Sequence, residues 1–128
     1  MTKHITLVQC TNAKRDGRHV AADLYDESAY FRKQRRYARV VADCWFIQSA
    51  EYGLVKPDAL IHSYDTHAGD LDDPDAWAKD IAADLSNRVG RGRVELLGGT
   101  DYTDPLGPQL ETRGFDVFEP LAGKGIGE

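Results

Sequence analysis

Four short apolar runs, each followed by small polar residues, punctuate the chain: Ile5-Thr-Leu-Val-Gln9, Trp45-Phe-Ile-Gln-Ser49, Val94-Glu-Leu-Leu97 and Phe115-Asp-Val-Phe118. Their apolar and β-branched make-up suits strands of a parallel sheet, the first of them buried on both faces. Between the runs the apolar spacing changes to that of helices. Ser28 is placed to cap a helix reaching about residue 43, with Phe31, Tyr37, Val40 and Val41 on one buried stripe. Asp72, Asp73, Pro74 and Asp75 form an acidic helix entry, and Trp77, Ile81 and Leu85 mark the buried face that follows, to about Val89. A third helix begins at Thr100 or Asp101 as its cap and reaches Gly114, with a bend near Pro105 and Pro108. Residues 15–19 read as a turn, 20–25 as a short helical turn, and 55–73 as a long irregular cover.

Strands and helices alternate, so right-handed crossovers imply one α/β domain over residues 1–128. The expected architecture is a Rossmann-like, three-layer α/β/α arrangement on a mainly parallel four-stranded sheet of order 2-1-3-4. That order puts a switch point between the first and third strands, where ligands gather beyond the carboxyl ends.

Charge narrows the partners. The net charge is −5, and aspartate far outnumbers glutamate, as on the surfaces of salt-adapted proteins. An acidic surface opposes indiscriminate nucleic-acid binding. Arg32, Arg35, Arg36 and Arg39, with Lys33, nevertheless make a basic segment in the first long helix. The favoured reading is a solvated face pairing with nearby carboxylates, and a phosphate-tracking surface is the alternative. No run is long enough for a membrane span, and Met-Thr-Lys-His leads straight into the first strand, so a cytoplasmic protein without a signal peptide is expected. Cys10 and Cys44 lack disulfide or zinc spacing. No cofactor or metal is called for, although His62 and His67 near Asp65 and Asp70 leave a loop metal site as an alternative. The Gly123-Lys-Gly-Ile-Gly127 segment matches neither a Walker loop nor a dinucleotide fingerprint.

The chemistry-bearing residues fall on the loops after the strands. Cys10 and Lys14 bracket the first loop, and Glu51 and Tyr52 lie on the second. Gly98, Gly99 and Tyr102 lie on the third, where glycine lets a ligand approach the backbone. Catalytic candidates are Lys14 as nucleophile or electrostatic stabiliser, Cys10 as donor or second nucleophile, and Glu51 or Asp65 as base or ribose ligand. Thr11, Asn12, Ser49, Tyr52, Gly98, Gly99, Tyr102 and Lys124 are candidates for binding substrate, with Tyr52 offering a stacking face.

The series Cys10-x-x-x-Lys14, Leu24-Tyr25, Phe31, Ser49-Ala-Glu-Tyr-Gly-Leu54, Tyr64-Asp65 and Gly123-x-Gly-Ile-Gly127 resembles, over nearly the whole chain, an uncharacterised family of small bacterial, archaeal and phage proteins. More distantly, Cys10-x-x-x-Lys14 is similar to the P-C-x-x-x-K-P-Y motif in the core of archaeosine synthase, of which only the C-x-x-x-K element carries over. That resemblance implies a substrate class, modified nucleobases, and a lysine engaged in chemistry at the base. The expectation is an enzyme handling a nucleobase or nucleotide, at a glycosidic bond or a 7-deazapurine substituent. A non-catalytic nucleic-acid-binding module and a small-ligand sensor are the alternatives.

Overall fold

A computed structural model describes residues 3–120. In chain order the elements are β1 (His4–Gln9), β2 (Arg18–Val20), α1 (Ala21–Leu24), α2 (Ala29–Val41), β3 (Cys44–Ser49), β4 (Gly53–Val55), β5 (Leu60–His62), a 3-10 turn (Ala68–Asp70), α3 (Pro74–Val89), β6 (Arg93–Leu96), α4 (Thr100–Thr112) and β7 (Asp116–Phe118). The main sheet has five strands in the order β4-β3-β1-β6-β7, all parallel except β4. The four parallel strands thus lie second, first, third, fourth. β1 is central, so Ile5, Thr6, Leu7 and Val8 are all buried, as a run apolar on both faces requires.

Each face carries its own core. Ile5, Leu7, Phe46, Val94 and Leu96 pack with Ile81 and Leu85 of α3 and Leu106 and Leu110 of α4. Val8 and Ile47 pack with Leu24, Tyr25, Phe31 and Ala38 from the α1 and α2 region. The chain crosses from β3 and β4 past β1 to β6, so its direction of winding switches between β1 and β6.

Several expectations need correcting. The sheet has a fifth strand, because the residues after Ser49 turn back and pair β4 antiparallel to β3. Residues 15–19 and 55–73 are not simply turn and loop, since β2 and β5 pair antiparallel in a second small sheet. β2, β4 and β5 are three residues each, and their pairing is what makes them strands. In α2 the buried stripe is Phe31, Gln34 and Ala38, while Val40 is 79% exposed. The face is set by Gln34, whose amide completes the ladder at the end of β1. Gln9 N–H donates to Gln34 Oε1 at 2.8 Å, and Gln34 Nε2 donates to Gln9 O at 3.3 Å. A polar residue sits in the core because its amide imitates a strand's backbone. The α4 cap is Gly99, not Thr100 or Asp101: Gly99 is extended and its carbonyl accepts from Tyr102 and Thr103 N–H. The helix passes through Pro105 and Pro108.

The cap expected at Ser28 is present, its hydroxyl accepting from Phe31 N–H at 3.1 Å. Ser28→Ala should cost about 1 kcal/mol in urea denaturation, and Ser28→Asp should restore most of it.

Candidate functional site

The carboxyl ends of β1, β3 and β6 are tied together by glutamines. Cys10 N–H donates to Gln48 O at 3.1 Å, which extends the β1–β3 pairing by one residue. The fully buried Gln48 donates from Nε2 to Leu97 O at 2.5 Å. Gln9 Oε1 accepts from Gly99 N–H at 2.6 Å, linking the β1 loop to the start of α4. This approach depends on Gly98, with φ +123°, where an added Cβ would lie 2.6 Å from Gln9 Oε1. Gly98→Ala should therefore cost about 1–3 kcal/mol in backbone strain and displace Gln9. Adding Gln9→Ala should remove the 2.6 Å clash with Oε1 but neither the strain nor the 3.0 Å contact with the residue 9 Cβ, giving a less-than-additive double variant by thermal melting.

A cleft of about 480 Å³ opens at the switch point. Cys10, Thr11, Asn12 and Ala13 line it from the β1 loop, Ser28 from the start of α2, His67 and Gly69 from the long connection, and Asp101 and Tyr102 from the first turn of α4. Both helices begin beside it, with Phe31 N–H held by Ser28 Oγ in α2 and Tyr102 and Thr103 N–H held by Gly99 O in α4. Among the described residues, the Thr11, Asn12 and Ala13 amides make no hydrogen bond.

Beneath the loop lies a chain of thiol and hydroxyls. Cys10 Sγ is 3.2 Å from Tyr102 Oη, in a buried contact between β1 and α4. Tyr64 Oη is 2.6 Å from Tyr25 Oη and accepts from Ser49 Oγ at 2.8 Å. Ser49 Oγ in turn accepts from the N–H groups of Glu51 and Tyr52, which fixes the β3–β4 turn. Burial raises the phenol pKa of Tyr64 well above its ordinary value, and neighbouring Cys10 and Tyr25 add to the shift. Burial does the same to Tyr25, again helped by Cys10. Both phenols stay protonated, so the network can hold or relay a proton without carrying charge.

Lys14 lies over this network. Its Nζ is 4.4 Å from the centroid of the Tyr64 ring, a cation–π contact, and 3.5 Å from Asn12 O. Partial burial lowers its pKa below the lysine norm, while Cys10 and Asp65 pull it back upward. The Tyr52 ring meets the Tyr64 ring edge-on at 5.3 Å.

The sequence-derived candidates therefore share one sheet edge but not one concavity. Cys10, Thr11, Asn12 and Tyr102 line the cleft, whereas Lys14, Ser49 and Tyr52 cluster around Tyr64. Gly98 and Gly99 pack on Gln9. Asp65 is exposed and close enough to act on the Lys14 charge. Exposed Glu51 accepts from Thr66 Oγ1 at 2.5 Å. Lys124 and its glycine motif lie outside the described residues. Tyr25 and Tyr64 were not among the site candidates, although both stand in the motif series. Trp77, read from its spacing as core, is half-buried against both cores and donates from Nε1 to Ser49 O at 2.9 Å. Among the described residues, no three His, Cys, Asp or Glu side chains gather as a metal-binding set, and both cysteines are free thiols.

The profile of the Family of unknown function (DUF6884) matches residues 5–128. The chain belongs to that family. The match spans β1 through β7, so both walls of the cleft and the Lys14–Tyr64 contact lie within the family's domain. No curated protein and no solved structure matches the chain. Among the described residues, no helix is long and apolar enough to cross a membrane.

Proposed function

We propose that this protein is a cytoplasmic enzyme acting on a nucleobase or nucleotide, at a glycosidic bond or at a substituent of a 7-deazapurine-type base. One observation carries the reading: an amine of lowered pKa, Lys14, rests on the Tyr64 ring beside a buried thiol–hydroxyl network. The cleft wall formed by residues 10–13 and the first turn of α4 lies one loop away. A Rossmann-like layering, with helices over both faces of the sheet, fits this position for a nucleotide-sized ligand.

In this reading the neutral Lys14 amine is the nucleophile. At a nitrile-type substituent its lone pair forms a C–N bond as one C–N π bond breaks. The amine proton passes through Asp65 or Tyr64 to the substituent nitrogen, so the product is an amidine and nothing leaves. At a glycosidic carbon the same attack breaks the bond to the base, which departs with the electron pair and takes a proton from the Cys10–Tyr102 side. Tyr52 is the stacking face, and Glu51 binds a ribose hydroxyl.

Intact-mass measurement separates the two routes. Incubation with a 7-deazapurine nitrile should add the whole base to the peptide carrying Lys14, whereas incubation with nucleosides should add the sugar and release the base. Absence of both adducts, with no base released, would overturn the proposal.

A further inference from the structure

We infer that the exposed face of α2 is a track for the phosphate backbone of a single-stranded nucleic acid. This deepens the reading above, on which it rests for the role of the cleft, by naming the carrier in which the base arrives.

Arg32, Arg35, Arg36 and Arg39 fall at helical positions i, i+3, i+4 and i+7, and with Val40 they line a surface groove of about 330 Å³. In a chain of net charge −5 such a stripe should be neutralised by carboxylates. Carboxylates reach only its first half: among the described residues the one ion pair made by these four is a long contact, Arg35 Nη1 to Asp23 at 3.9 Å, and Asp26 lies near Arg32 and Arg35. The Asp26 carboxylate is held instead by Arg15, at 2.6 and 3.1 Å.

What braces the arginines leaves their charge intact. Arg32 Nη1 donates to Asp26 O at 2.7 Å, and Arg35 Nη1 to Ala22 O at 2.7 Å. The Arg35 guanidinium lies 6.0 Å from the Phe31 ring centroid, and that of Arg39 lies 5.9 Å from Trp45. Backbone carbonyls and rings fix the side chains; the Arg35 side chain is only 18% exposed and serves as a brace, while exposed Arg32, Arg36 and Arg39 keep N–H donors for a ligand. That is the arrangement phosphate oxygens require.

The geometry also gives a direction. Arg32 is one turn beyond Ser28, which lines the cleft, so the stripe begins at the cleft and leads away from it. From Arg32 to Arg39 the axial rise is about 10 Å, and the three exposed guanidinium groups of Arg32, Arg36 and Arg39 offer three phosphate contacts along it. Exposed Val40 offers an apolar contact for a sugar or base. The acidic remainder of the surface repels a wider duplex and confines binding to this one stripe.

The test is fluorescence anisotropy with a labelled single strand of about twelve nucleotides, RNA and DNA in turn, across a range of salt. The parent should bind with a log–log salt slope of about −2, for three phosphate contacts at about −0.7 each. Arg36→Ala with Arg39→Ala should shift that slope by about 1.4 and weaken binding roughly 25-fold near ~0.1 M salt. The paired lysine substitutions should keep the slope, which separates lost charge from lost fold. Absence of salt-dependent binding by the parent, an unchanged slope in the double alanine variant, or binding to anionic vesicles but not to the strand would each overturn the inference. If the strand binds through these arginines but no Lys14 adduct forms, the base chemistry fails and the track stands. If free base forms the adduct but the strand does not bind, the track alone fails.

Discussion

Lys14→Ala is expected to reduce turnover on the order of a thousandfold or more, and Lys14→Arg by as much. A guanidinium keeps the positive charge but stays protonated, so it can hold an anion and cannot act as a nucleophile. If Lys14 served only to bind an anion, arginine would retain most of the affinity and alanine would lose it. The pH profile adds a second readout. Because burial against Tyr64 lowers the Lys14 pKa from its ordinary 10.5, kcat/KM should rise with pH and reach its plateau below that value. Tyr64→Phe keeps the ring and its shielding, so the profile should move little. Tyr64→Ala opens the amine to water, and the rising limb should shift toward higher pH. Circular dichroism on each variant confirms the fold. Parent-like turnover in both Lys14 variants would leave Lys14 a loop residue and sink the assignment.

The largest loss of stability is expected at Phe31. Its side chain is fully buried, its ring lies 5.1 Å from that of Tyr25, and its N–H is held by the Ser28 cap. Phe31→Ala removes most of an aromatic ring from the core under α2 and should cost about 3–5 kcal/mol. In urea this appears as a lower midpoint with an unchanged m value. The change also reaches the site, because Tyr25 bonds Tyr64 and Tyr64 carries Lys14. Phe31→Leu refills much of the volume and should recover more than half of the loss. A cost below ~1 kcal/mol for the alanine variant would mean that α2 is not anchored through this ring.

These two residues also mark what could be read before the structure. Phe31 was legible because an apolar residue three positions after a capping serine faces the core in almost any packing of that helix. Lys14 was legible as a candidate because a polar loop after a central strand must emerge at the sheet's carboxyl edge. Its perch on Tyr64 was not, since the two residues are brought together by the pairing of β2 with β5. The basic stripe of α2 was plain in the sequence, but which carboxylates it meets was not: among the described residues Arg35 pairs with Asp23, and Asp26 lies near Arg32 and Arg35. Proximity of charges depends on which side chains the fold commits elsewhere, and here Arg15 occupies Asp26.

By itself the sequence determined the main elements and their order: β1, β3, β6 and the short β7 from apolar runs, α2 and α3 from helical spacing and their entry residues, and the extent of α4 but not its cap. Those signals are local, since burial of one face imposes a period on the residues that form it. Only the tertiary structure decided the short elements and the polar core. β2, β4 and β5 exist because a distant partner supplies their hydrogen bonds. Gln34 and Gln48 are buried because backbone groups far along the chain meet their amides. The thiol–phenol network assembles Cys10, Tyr25, Ser49, Tyr64 and Tyr102 from five separate segments. Each of those contacts is non-local, and no pattern within one segment records it.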